Sequence, residues 1–133
     1  MNVKPWEEIH QRINAMEFKE SFDMIVAIAN GGVIPAALLN QKLQTNLQVL
    51  KINFRNQKHQ PVHPAPTLLE DIHFDIKGKT ILLVEDRVKT GATLEYAKSL
   101  LQSKAKLVKT FAVNGKADYS LFDEVCFSFP WLI

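Results

Sequence analysis

Two adjacent carboxylates, Glu85 and Asp86, follow the apolar run Ile81-Leu82-Leu83-Val84, and after a short spacer the chain reads Thr90-Gly91-Ala92-Thr93. Free N–H groups at a helix start, the hydroxyls of Thr90 and Thr93, and the close approach that Gly91 permits would together cradle a monophosphate. The neighbouring acids can accept hydrogen bonds from vicinal sugar hydroxyls, or hold Mg²⁺ directly or through water. Side by side, the two features suit a sugar phosphate better than either does alone. The same residues also fit a plain turn in which Thr90 or Thr93 caps the next helix and the acids face solvent. Spacing alone leaves these two readings level.

These residues need a scaffold, and the pattern of apolar residues supplies one. Pro5 and the acids Glu7 and Glu8 mark a helix start, continued by Trp6, Ile9, Ile13 and Met16 at helical spacing. Met24 to Ala29 is a short continuous apolar run, as expected of a strand covered on both faces, and it ends at Asn30-Gly31-Gly32. Val33 to Leu43 reads as a helix with Pro35 in its first turn. Strands are expected over Leu47 to Phe54, Lys79 to Val84, Val108 to Val113 and Val125 to Phe129, with a helix over Thr93 to Leu101. Arg55 to Asp75 is polar, carries three prolines and reads as one long loop. Alternating strands and helices predict a single α/β domain over residues 1–133, with a mostly parallel sheet and helices on both faces. Ligands bind such sheets beyond the carboxyl ends of the strands, which points to the residues after Ala29 and Val84.

Composition narrows the class. With 133 residues, 47% of them hydrophobic, and a formal net charge of +2, the chain can fill one core and presents no overall basic surface for a nucleic acid or membrane. No membrane-spanning run or export signal is visible, so residence in the cytoplasm is expected. The single cysteine, Cys126, lies in an apolar run and is expected to be a buried structural thiol. His59, His63 and His73 have no recognisable zinc spacing.

Four apolar residues, two acids, a spacer and Thr-Gly-x-Thr make Ile81 to Leu94 resemble the signature of the type I phosphoribosyltransferases, matching at Glu85, Asp86, Thr90, Gly91 and Thr93. Asn30-Gly31-Gly32 resembles that family's first loop, where backbone N–H groups meet pyrophosphate, and Pro130-Trp131 resembles the C-terminal stretch of purine-using members. The resemblance implies transfer of a 5-phosphoribosyl group from phosphoribosyl pyrophosphate to a nucleobase, a purine-like one being favoured, with Mg²⁺ as cofactor. It also implies a role in nucleotide salvage and a homodimer. It assigns catalysis to Glu85, Asp86 and Lys89, with Mg²⁺ on the two acids. Substrate contacts fall to Asn30, Gly31, Gly32, Lys51, Arg55, Arg87, Val88, Thr90, Gly91, Ala92, Thr93, Lys116 and Trp131. Lys51, Arg55 and Lys58 are the cations at the start of the long loop, which in the family closes as a lid; a solvated loop fits them equally well.

Two positions depart from the pattern. Lys89 stands where purine-using relatives commonly carry an aspartate, and Asn30 where a cation is common. These departures keep a second reading open, a non-catalytic domain that binds the donor or a nucleotide. The chain is short for the family, so the hood over the base must be minimal, built from the N-terminal segment and from Asp118 to Ile133.

Overall fold

The computed structural model describes residues 2–53 and 65–131. Nine elements follow in order: α1 (Trp6–Ala15), β1 (Met24–Ala29), α2 (Val33–Leu43), β2 (Asn46–Asn53), β3 (Thr67–Leu68), β4 (Thr80–Arg87), α3 (Ala92–Gln102), β5 (Leu107–Asn114) and β6 (Tyr119–Phe122). The strands form one sheet in the order β3-β2-β1-β4-β5-β6. Every pairing is parallel except β2 with β3.

β1 and β4 lie at the centre, and side-chain alternation sends their residues into two separate cores. Ile25, Ala27, Leu82 and Val84 pack with Ile9 and Ile13 of α1 and Ala36 and Leu39 of α2. Val26, Ile28, Ile81 and Leu83 pack on the opposite face with Leu94, Ala97 and Leu101 of α3. Burial on both faces explains why these strands read as unbroken apolar runs. Each fully buried large side chain contributes about 1.5–3 kcal/mol.

The strand expected over Val125 to Phe129 is not one. The sixth strand is Tyr119–Phe122, and Ser128 only bridges Val3. Val125 is 86% exposed, while Phe127 and Phe129 pack on other aromatic rings rather than into a ladder. Cys126 is exposed, contrary to the buried thiol expected. β6 begins opposite Phe111, so residues 115–118 need only double back a short way before the chain runs parallel to β5 again. Asp118 fixes that reversal, its Oδ2 accepting from the Thr110 N–H at 2.8 Å and from the Thr110 hydroxyl at 3.1 Å.

The long loop is partly structured. Its described portion contains β3, and Leu68, Ile72 and Phe74 pack against the α3-side core. Residues 54–64, which include Arg55, Lys58, His59 and His63, lie outside the described residues.

Gly32 tests the tightness of the central packing, because a methyl group there would sit 2.3 Å from the Val84 carbonyl oxygen and 2.8 Å from that of Ile28. Neither backbone atom can step aside. Gly32→Ala is therefore expected to destabilise the fold by about 2 kcal/mol or more in urea denaturation, comparable to Leu83→Ala, which empties a fully buried site and should cost about 3 kcal/mol.

Candidate active site

Because β1 and β4 are neighbours in the sheet, the loop leaving β1 meets the end of β4. A methyl group on Gly31 would stand 2.2 Å from Asp86 Oδ2. Both glycines therefore serve close approach, one onto a backbone and one onto a carboxylate. The loop is tied by the Gly32 N–H donating to Ile28 O at 2.8 Å and the Val33 N–H donating to Asn30 O at 3.2 Å. The Ala29–Asn30 peptide is cis.

The two acids differ in environment. Both lie within β4, which runs on to Arg87 rather than ending at Val84 as expected, and Glu85 is in register with Ala112. Glu85 is 9% exposed, and its Oε1 accepts from the Asp86 N–H at 3.0 Å. Burial first, then the charge and hydrogen bonding of Asp86, pushes the Glu85 carboxyl well above the usual range. Asp86 is half-buried, faces Gly31, and accepts from the Arg87 N–H at 2.6 Å through Oδ1.

Gly91 has φ +87° and opens α3, and no atom lies within 4 Å of where its side chain would be. The Thr90 hydroxyl accepts from the Ala92 N–H at 3.2 Å, so Thr90 does act as a local cap. The first-turn amides of Thr93 and Leu94 have no carbonyl within the helix to receive them. The cap and the cradle are thus compatible: one threonine shapes the turn, and the space beside Gly91 is open.

A third strand end completes the cleft. The Val88 N–H donates to Asn114 O at 2.9 Å, and Gly115, at φ +127°, lies so close that a methyl group there would be 2.4 Å from Val88 O. Lys89 and Lys116, one residue beyond each contact partner, are both exposed.

Arg87 does something its place in the motif does not reveal. Its Nη2 donates to Phe127 O, and its guanidinium lies 4.7 Å from the Phe129 ring centroid. Trp131 stacks on Phe129 at 4.8 Å and 8°, and Trp6 meets Trp131 at 5.7 Å. Trp131 therefore backs Phe129 in a hood. Ser128 ties this hood to the N-terminal segment, donating to Asn2 O at 2.7 Å and accepting from the Lys4 N–H at 3.1 Å. The N-terminal segment and the stretch around Ser128 thus meet in a small hood. The signal for it in the sequence is the alternation Phe127, Phe129, Trp131, which lines one side of an extended segment opposite a lone arginine.

Lys51 pairs in register with Ala29, but its Nζ bonds Glu70 at 3.0 Å, which directs it towards the outer sheet edge. A cavity of about 260 Å³ there, lined by Leu47, Val49, Lys51, Glu70, His73 and Phe74 among others, shares no residue with the glycine pair, the acids or the Thr-Gly turn. His73 is exposed, and the described residues contain no group of three or more metal-ligating side chains.

The raised Glu85 carboxyl sets a stability trend. A carboxyl that binds its proton more tightly when folded gives its full stabilisation below the ordinary glutamate range, and that stabilisation is lost as pH rises through the folded value. Glu85→Gln keeps an oxygen acceptor for the Asp86 N–H and cannot ionise. Its Tm in ligand-free, metal-free buffer is expected to match wild type near pH 4 and to exceed it by several degrees at pH 8, read by calorimetry across that range.

Comparison with known proteins agrees with this arrangement. A family model described as a phosphoribosyl transferase domain matches residues 4–129. The xanthine-guanine phosphoribosyltransferase of Desulfotalea psychrophila is 30% identical over 141 residues, covering 95% of this chain and 82% of that protein. The corresponding enzyme of Idiomarina loihiensis is 26% identical, covering 95% and 83%. A crystal structure of the purine phosphoribosyltransferase from Pyrococcus horikoshii superposes with a TM-score of 0.81 at 28% identity, covering 97% of this chain and 91% of that one. With the glycine pair, the acid pair and the Thr-Gly turn meeting at adjacent strand ends, this chain belongs to the phosphoribosyl transferase domain family.

Proposed function

We propose that the chain transfers the 5-phosphoribosyl group of phosphoribosyl pyrophosphate to a ring nitrogen of a purine base, releasing pyrophosphate. The observation that carries this reading is the contact between Gly31 and Asp86, which sets pyrophosphate-binding backbone and sugar-binding carboxylate against each other. The 5-phosphate would sit on the N–H groups and hydroxyls of Thr90 to Thr93, over the open side of Gly91. Glu85 and Asp86 would take the ribose hydroxyls, and Asn30 to Gly32 the pyrophosphate. The base would lie between Val88, Lys116 and the aromatic hood.

This layout holds the sugar at three points, so that C1 is aligned between the leaving oxygen and the entering nitrogen. As the C1–O bond breaks, positive charge grows on the sugar ring, and the carboxylate of Asp86 would stabilise that charge. Among the described residues no third ligating side chain joins the two carboxylates, a set that fits Mg²⁺, which keeps waters and takes its remaining oxygens from substrate phosphates. When bound at Glu85 and Asp86, it would neutralise charge on the departing pyrophosphate. The reading includes residence in the cytoplasm and a homodimer, which sedimentation velocity over a concentration series would test. Among the described residues, no helix is long and apolar enough to cross a membrane.

Pyrophosphate release is measured with Mg²⁺, donor and, one at a time, guanine, xanthine, hypoxanthine, adenine, uracil and orotate. Release that depends on a purine, and that falls by about 100-fold or more in Asp86→Ala, is the expected result. Donor binding with no release for any base would overturn transfer and leave a ligand-binding domain. Donor affinity tests the cradle separately. Thr93→Ala is expected to raise the donor Kd by about tenfold. Gly31→Ala should do at least as much while keeping a near-normal urea midpoint, because its methyl group meets a movable side chain rather than backbone.

A further inference from the structure

Among the described residues, the acceptor side of the cleft carries cations and no group placed to take a proton. Arg87, Lys89 and Lys116 all leave the joined ends of β4 and β5, where Val88 and Gly115 touch. Among the described residues none of the three forms an ion pair, whereas Lys4, Arg12 and Lys51 each do. Arg87 Nε is buried without a hydrogen-bond partner. The acids at this end are committed elsewhere. Glu85 is buried and receives the Asp86 N–H, Asp86 faces Gly31, Asp118 is held by Thr110, and Glu124 pairs with Lys4 at 2.8 Å. Asp123 lies past the end of β6, a strand further out.

This matters because a purine ring nitrogen that carries a hydrogen must lose it when it bonds to C1. Guanidinium and ammonium groups have no lone pair to accept that proton. They do favour the deprotonated form of an acidic N–H nearby. We propose that the acceptor reacts as its anion, selected by Arg87, Lys89 and Lys116, so that the proton passes to solvent before the sugar is transferred. The anionic nitrogen then supplies the electron pair for the new N–C1 bond, and pyrophosphate leaves with the pair from the broken C1–O bond. No enzyme group gains a proton. This inference rests on the transferase reading above.

The test uses bases of matched shape and different acidity: hypoxanthine against 8-azahypoxanthine, and guanine against 8-azaguanine, the aza compounds being the stronger acids. At pH 7 the wild-type kcat/KM is expected to favour each aza compound by about tenfold or more. For each base, kcat/KM should climb about tenfold per pH unit until that base is ionised, so the preference shrinks at high pH. Lys89→Asp adds a proton acceptor at the same place, and is expected to raise kcat/KM for hypoxanthine, flatten its pH profile and abolish the preference. Lys89→Met should lower kcat/KM for the anion without flattening the profile, an outcome a merely structural lysine would not produce. Equal use of matched bases at pH 7, with profiles indifferent to their acidity, would overturn the anionic acceptor and leave transfer standing. No base-dependent release from wild type or from Lys89→Asp would overturn both.

Discussion

Everything at the cleft depends on how closely the loop after β1 lies against β4. At Gly32 two backbone segments are in contact, and at Gly31 a backbone segment rests on the Asp86 carboxylate. A Cβ at Gly32 would force the loop off the backbone of β4, and one at Gly31 would displace the Asp86 carboxylate, so either would part the loop amides from the acid pair. The contact is possible because β1 and β4 are paired over four residues in the sheet centre, both buried on two faces, so neither can shift without disturbing two cores at once. The rigid centre thus fixes the distance between two loops that are far apart in sequence.

The donor side of this site is legible in the amino-acid sequence because its chemistry is local. Glu85, Asp86, Thr90, Gly91 and Thr93 occupy one short stretch, and the apolar run ahead of them has the length and composition of a buried strand. β1, α2 and α3 are readable for the same reason, their periodicity being enforced by burial. The acceptor side is less legible because it is assembled from distant pieces. Val125 to Phe129 carries a strand's composition, yet it engages Arg87 through the Phe127 carbonyl and the Phe129 ring, and β6 takes the sheet edge instead. Tyr119–Phe122 is short and half polar, so nothing in its composition outranks its neighbour. The exposure of Cys126 has the same origin: in an extended segment whose rings at 127 and 129 point inward, the residue between Val125 and Phe127 turns out.

The two halves of the cleft also differ in electrostatic character. At the ends of β1 and β4, a buried carboxyl and a half-buried one sit beside helix and loop amides, which suits a ligand that is anionic at its ends and gains positive charge in its middle. Where β4 and β5 end, the described cations are Arg87, Lys89 and Lys116. Arg87 belongs to both halves: its backbone N–H holds Asp86 while its guanidinium holds the hood. Donor geometry and acceptor geometry are coupled through that one residue.

The hood has a further consequence for how a finished nucleotide could leave. Its two edges, around Asn2 to Lys4 and around Ser128, come from opposite ends of the described residues and are joined by a narrow set of hydrogen bonds and an ion pair. Contacts of such long sequence separation repay their loop-closure entropy only after the sheet is complete. Phe127 and Phe129 on either side of Ser128 belong to the α1-side core, so the hood can loosen only at its rim, along these bonds. On the transferase reading, a nucleotide would leave past that rim on the base side, while its phosphate end would lie at the rigid strand ends of the sheet centre.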